Sequence, residues 1–285
     1  MNNNIKKFKI EDCKSGMIGH WIWLMIAALK DIKDFKKEKI NVCFDDEDFT
    51  QFQKETFELL KNRINVVKKD QNFILVPSIR ARTSLLRFFC KINYELLKNY
   101  IFFFKLFFKK FFLNDGAFIE KKYFIFLRNL FITEIKDMKL EGFKKIFIKR
   151  KGSEKIKGNL SDGNSGKRRQ IVNEDEISLL AKKKGFKVIS MEDYTIKEKI
   201  KIFYNANIIL GANGGGMTFL FMSQPGTRYI EIVSKNNHQW IDHYKQISRL
   251  FKIKFFRFSD VKKIDEFDNI IVDKHKLDLF INNIS

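Results

Sequence analysis

The sequence is poor in several residue types, and each shortage removes a class of protein. Two prolines, Pro77 and Pro225, exclude collagen-like and proline-rich disordered chains. Three cysteines, Cys13, Cys43 and Cys90, are odd in number and scattered, so no disulfide framework is expected. They also lack the close pairing of a zinc site, and such usage fits a reducing cytosol. Of the four histidines, His238 and His243 lie five apart, which is a poor spacing for one metal, and no carboxylate completes a zincin pattern. Neither a metal nor a cofactor is therefore expected. The N-terminal Met1–Lys9 segment leads into no adequate apolar run, so no secretory leader is expected.

Acidic residues are outnumbered by basic ones, 34 to 55, giving a net charge of +21. One reading is an anionic partner such as nucleic acid, a lipid surface or a phosphorylated substrate. The other is lysine-rich usage that only solvates the surface, and composition leaves both open. Nucleic acid is disfavoured, because the charge is spread along the chain and no helix-turn-helix, RRM or KH signature appears. A hydrophobic content of 45% describes a folded chain, and 285 residues suit two modest domains. The expected division is 1–139 and 140–285.

The stretch that organises the rest is Asn205–Val233. Ile208–Leu210 reads as a buried strand, followed by Gly211, Gly214, Gly215 and Gly216, a short apolar segment, a turn at Gln224-Pro225-Gly226, and a second strand, Tyr229–Val233. This is a βαβ unit in which glycines let backbone amides approach a phosphate and a helix start adds partial positive charge. The spacing is not that of a P-loop. Glu231, at a strand end, is placed to meet ribose hydroxyls, as acids do in nucleotide folds.

Upstream, Lys145–Ile148 is a strand that delivers Lys149-Arg150-Lys151 at its carboxyl end, where ligands bind in open α/β sheets. Arg150 is thus placed for a diphosphate. Residues 151–167 form a basic, glycine-containing loop, either functional or a tolerated insertion. Asn173-x-x-Glu176 and Thr195-x-x-Glu198 have the form of capping boxes, opening helices to Lys184 and about Tyr204. Phe186–Ser190 and Lys252–Phe258 read as strands, Asn237 to about Leu250 as a helix, and Ile270–Val272 as an edge strand before a helix capped by Asp273. The C-terminal half therefore reads β-α-β-α-β-α-β-α-β.

Taken in order, Arg169-Gln170-Ile171-Val172-Asn173-Glu174-Asp175-Glu176, Gly185-Phe186-Lys187-Val188, Phe203-Tyr204-Asn205-Ala206, the glycine run and Ile230-Glu231-Ile232 resemble glycosyltransferase family 61. The resemblance runs from Lys145 to Phe258. It departs from the family pattern at Asn213, where the family has histidine, at Gly215, where it has alanine, and at Phe219, where it has asparagine. Asparagine can hydrogen-bond but carries no charge near neutral pH.

The resemblance implies a GT-B-like α/β fold, with two Rossmann-like domains facing a cleft. It further implies an inverting transfer of sugar from a nucleotide-sugar donor to a hydroxyl of a glycan or lipid-linked oligosaccharide. Donor-binding residues would be Arg150, Arg169, Asn213, Gly214, Gly215, Gly216, Met217, Thr218 and Glu231. His20, in a His20-Trp21 pair like the family's N-terminal motif, becomes the candidate catalytic base. A core helix with an exposed histidine at its start is the competing account.

The N-terminal half alternates strands (Ile40–Phe44, Ile64–Val67, Phe73–Val76) with helices (16–29, Phe52–Lys61, Ile119–Ile135), as in an α/β domain. Asp46-x-Asp48 superficially fits a metal-binding D-x-D, but four acids after a strand more often form a solvated loop or helix start. Residues 98–113, rich in phenylalanine and lysine, are too short and too interrupted to span a bilayer. They read either as a segment lying on an anionic membrane surface or as a mostly buried interdomain helix. A cytoplasmic protein, peripheral to the inner membrane face, is the expectation.

Overall fold

The computed structural model describes residues 7–10, 18–36, 38–44, 49–68, 73–76, 121–137, 142–150, 170–234, 243–265, 267 and 269–284. The chain divides into two compact units, Met1–Leu130 and Phe131–Ser285. The division falls within one helix, Lys121–Ile135. The expected segment 98–113, the loop 151–167, the pair Asp46 and Asp48, and Arg168 and Arg169 all lie outside the described residues.

The first unit is built on a parallel sheet of β1 (Lys7–Ile10), β2 (Ile40–Phe44), β3 (Ile64–Val66) and β4 (Ile74–Val76), in the order β3-β2-β1-β4. Strand β1 is an addition to the sequence reading. Its Lys-Phe-Lys-Ile alternation buries Phe8 and Ile10 and leaves the lysines at the margin. The helical stretch expected over 16–29 is irregular: α1 (Ile18–His20), a π-helical turn over Trp21–Met25, then a 3₁₀ segment over Ile26–Asp31. Trp21 anchors it, fully buried, with its indole N–H donating to Thr56 Oγ1 at 3.1 Å and its ring 5.2 Å from Phe44. Thr56 lies on α2 (Gln51–Leu59), which opens with a Thr50/Gln53 capping box. Helix α3 (Lys121–Ile135) follows the undescribed stretch.

The second unit carries the sheet that positions the site. Strands β5 (Lys145–Lys149), β6 (Lys187–Ser190), β7 (Ile208–Ala212), β8 (Arg228–Ile232) and β9 (Lys254–Phe258) are all parallel, in the order β6-β5-β7-β8-β9. The connections are α4 (Glu174–Lys183), α5 (Ile196–Asn205), a 3₁₀ helix over Gly215–Met222 and α6 (His243–Leu250). The expected alternation of five strands and four helices is present, and the fold is α/β with Rossmann-like parallel sheets. One sheet face packs Phe147, Leu210, Ile230, Ile232 and Phe258 against α4 and the final helix α7 (Lys274–Ile284). The opposite face carries Tyr229 and Glu231, with α6 over Tyr229 through Tyr244.

Two details differ from the sequence reading. Ile270–Val272 does not join the large sheet but pairs, antiparallel, with Val261–Lys263. The side chain of Asn173 does not cap its own helix. Its amide instead exchanges two hydrogen bonds with Val272, donating to the carbonyl and accepting from the N–H, both at 3.0 Å. A side-chain amide offers the same donor and acceptor as a peptide group, so a neighbouring strand competes successfully with the helix start. The second box forms as expected: Thr195 Oγ1 accepts from the Glu198 N–H, and Glu198 accepts from the Thr195 N–H at 2.7 Å. Thr195→Ala is expected to cost about 1 kcal/mol of stability, measured by chemical denaturation, whereas Asn173→Ala affects the Val272 ribbon instead of the α4 start.

Candidate functional site

Strand order defines the site. The chain steps from β5 outward to β6 and then returns past β5 to β7, so the order reverses between β5 and β7. In open parallel sheets a crevice opens at that reversal, beyond the carboxyl ends of the strands. The residues just past those two ends are Arg150 and the loop Asn213–Gly216, and the fold brings them together. A Cβ placed on Gly214 would lie 3.6 Å from Arg150 Nη1 and 3.7 Å from its Cζ, so the guanidinium rests against this glycine. Any longer side chain at 214 would displace it.

The 3₁₀ helix starts at this loop. Its first N–H groups, at Gly215 and Gly216, have no partner within the helix and concentrate positive partial charge there. At two of the glycines a side chain would be crowded. At Gly211 an added Cβ would run into the Met217 methyl and approach the Ile148 carbonyl to 3.1 Å; at Gly216 it would come within 3.1 Å of Ile148 Cγ2. Met217 and Thr218 are buried under the loop. The Thr218 hydroxyl donates to the Gly215 carbonyl at 2.7 Å, tightening the first turn.

Behind the loop lies a buried charge. Register pairs Gly211 with Glu231 and Glu231 with Arg257, so the three share one sheet face. Glu231 is 0% exposed. Its Oε1 accepts from Asn213 Nδ2 at 2.8 Å, and its Oε2 accepts from Arg257 Nε and faces Nη2, both at 3.2 Å. Arg257 also lies over the Phe255 ring, 5.2 Å from its centroid. Glu231 thus sits inside the sheet with both oxygens engaged, one step behind the crevice, and touches the loop through Asn213. Beside it, burial raises the Tyr229 phenol well above its ordinary range, and the Glu231 carboxylate raises it further. That phenol stays neutral at any working pH.

Arg150 is held from the other side. Glu174, the first residue of α4, accepts from the Arg150 N–H through Oε1 at 2.8 Å. Partial burial raises the Glu174 carboxyl above its ordinary 4.5, opposed by that hydrogen bond and by Lys149. Glu174 stands in the Asn173–Glu176 motif, whose spacing points to capping; its contact with Arg150, 24 positions earlier, was not legible because tertiary packing creates it. Arg257 and Tyr244 were likewise missed, since neither belongs to a motif. Only strand register could have paired Arg257 with Glu231. His20 ends α1 in the first unit, and its side chain, like Arg169, is outside the described residues. Among the described residues no group of three His, Cys, Asp or Glu side chains could hold a metal ion, and no helix is long and apolar enough to cross a membrane.

The family model for Glycosyltransferase 61 matches residues 18–230, well over half of the sequence, and the chain belongs to that family. The match reaches further upstream than the Lys145–Phe258 resemblance, taking in His20-Trp21, and it stops one residue before Glu231. No curated protein matches the chain. Membership makes the protein a glycosyltransferase, with a donor and an acceptor as its substrates.

Two outcomes follow from the geometry. Arg257→Met leaves the Glu231 carboxylate buried without its cation, and an expected loss of about 3 kcal/mol is measurable by urea denaturation. Adding Glu231→Gln recovers part of that loss. Because the folded-state Glu174 carboxyl is raised, its ionised form costs stability, and the cost appears as pH rises through 4.5. Glu174→Gln keeps an acceptor for the Arg150 N–H, so the stability of wild type relative to this variant falls from pH 4 to pH 7.

Proposed function

We propose that the protein moves a sugar from a nucleotide-sugar donor to a hydroxyl of a glycan or lipid-linked oligosaccharide, inverting the anomeric carbon and needing no bound metal. In this reading it serves surface polysaccharide or lipooligosaccharide synthesis at the inner face of the cytoplasmic membrane. The two units divide the work in GT-B fashion, the first taking the acceptor and the second the donor. The observation that carries the donor assignment is the Arg150 guanidinium resting against Gly214 at the strand-order reversal. A diphosphate there would meet a fixed cation and the N–H groups of Gly215 and Gly216 at once.

The acceptor oxygen attacks the anomeric carbon opposite the leaving group, and the bond to the nucleoside diphosphate breaks with its electron pair leaving on the phosphate oxygen. Arg150, Arg169 and the loop amides stabilise the charge that builds there. The acceptor proton passes to a base, His20 in this reading. Asn213 borders the donor, and Glu231 acts by holding it.

A second reading is favoured by one observation. Asn213 occupies the family's histidine position and is buried against Glu231, and an amide cannot accept a proton in turnover. A donor-binding relative without activity would show nucleotide binding but no hydrolysis of any sugar nucleotide. The proposed enzyme is expected to show slow hydrolysis even without acceptor.

A thermal-shift panel of UDP, GDP, CMP and dTDP, each with EDTA and with manganese, tests the donor site. One nucleotide is expected to raise the melting temperature in EDTA, since a ligand at 100 times its Kd adds about 2.7 kcal/mol. Stabilisation only with manganese would instead direct attention to Asp46 and Asp48. Arg150→Met is expected to weaken that nucleotide by about 10- to 100-fold, the worth of roughly 1.5–3 kcal/mol for hydrogen bonds to a charged group.

A further inference from the structure

The glycine loop is fastened at two successive residues by side chains from later in the chain. At Asn213 the fastening is Glu231, itself held by Arg257. At Gly214 it is Tyr244 of α6, whose hydroxyl donates to the Gly214 carbonyl at 2.6 Å. That carbonyl also accepts the Met217 N–H at 3.0 Å, closing the first turn of the 3₁₀ helix. A peptide group is planar and trans, so fixing the Gly214 oxygen fixes the Gly215 N–H on the opposite side. With the oxygen turned into the helix, this N–H is directed outward from the helix start, next to Gly214, on which the Arg150 guanidinium rests. Tyr244 is itself immobilised. It is 6% exposed and stacks edge-on against Tyr229, with ring centroids 6.2 Å apart. Glu231, Tyr244 and Arg257 all lie beyond residue 230, where the family match ends.

We propose that Tyr244 is a positioning residue whose hydroxyl sets the Gly214–Gly215 peptide, so that the loop amides and Arg150 converge on the diphosphate of a nucleotide donor. The inference rests on the donor site described above and deepens it, assigning the loop's orientation to a hydroxyl that touches no substrate. The neighbouring Asn213–Glu231–Arg257 chain holds the loop's preceding residue, so the two fastenings together leave the start of the 3₁₀ helix little freedom to turn its amides away.

Tyr244→Phe removes only the hydroxyl and keeps the ring on Tyr229, while the Gly214 oxygen retains the Met217 N–H, so the fold is expected to persist. Calorimetry on the full chain compares UDP, GDP and dTDP with their nucleosides, and amide hydrogen exchange follows residues 213–218 without ligand. The expected result is faster exchange in the loop and roughly 5- to 10-fold weaker nucleoside diphosphate binding, with nucleoside affinity unchanged. A variant with a lower melting temperature but wild-type exchange and wild-type diphosphate affinity overturns the proposal and leaves the hydroxyl a purely structural role. Equal weakening of nucleoside and diphosphate also overturns it, because the effect would then not be at the phosphates. If the wild type itself binds none of the diphosphates, the donor reading fails and takes the proposal with it. That outcome is distinguished by the wild-type arm alone.

Discussion

The second unit depends on how it accommodates the Glu231 carboxylate, which is removed from water in the middle of a parallel sheet. An unpaired charge in that position would be prohibitive, so its neighbours are constrained. Arg257 must come from the adjacent strand in one register, and Asn213 must fold back from the end of the strand on the other side. Those two requirements tie β7, β8 and β9 together at their carboxyl ends. A side chain that serves the buried charge thereby also fixes the first residue of the glycine loop, so packing and site geometry share one interaction.

From this anchor the loop is surrounded by supports of different kinds. Tyr244 holds a carbonyl from above, and Met217 fills the space that Gly211 leaves beneath. Arg150 leans on Gly214 from the neighbouring strand, with its own backbone N–H bound by Glu174. The glycines are therefore not simply flexible. At 211 a Cβ would run into Met217 and at 216 it would crowd Ile148, whereas at 214 it would only come into contact with Arg150. In the donor site proposed above, such a held arrangement of amides and a cation would suit charge developing on a leaving phosphate, since preorganised groups need not reorient as the charge appears.

The family motif reads differently once folded. Asn173 and Glu174 share one short motif but serve different partners, one stitching α4 to the Val272 strand and the other bracing Arg150. In the first unit, the residue after His20 is the core anchor: Trp21 is buried against Phe44 and Phe57 and bonds Thr56. That explains the tryptophan in the His20-Trp21 pair by packing alone, and it fixes the backbone from which His20 departs.

Sequence alone determined the element order of the second unit, the glycine turn between β7 and β8, the Thr195 cap and the placement of Arg150 at a strand end. These are local properties: apolar periodicity, turn chemistry and capping act over a few residues and leave their pattern in the chain. It also determined the family, because motif order survives without knowledge of contacts. Sequence did not determine the strand order, the ribbon that claims Ile270–Val272, the burial of Glu231, or its partnership with Arg257. Nor did it determine the bonds of Tyr244 and Glu174 to the loop and to Arg150. Each depends on which strands become neighbours and on the side chains they bring opposite one another, and hydrogen bonds between residues 18 to 99 positions apart follow from that packing.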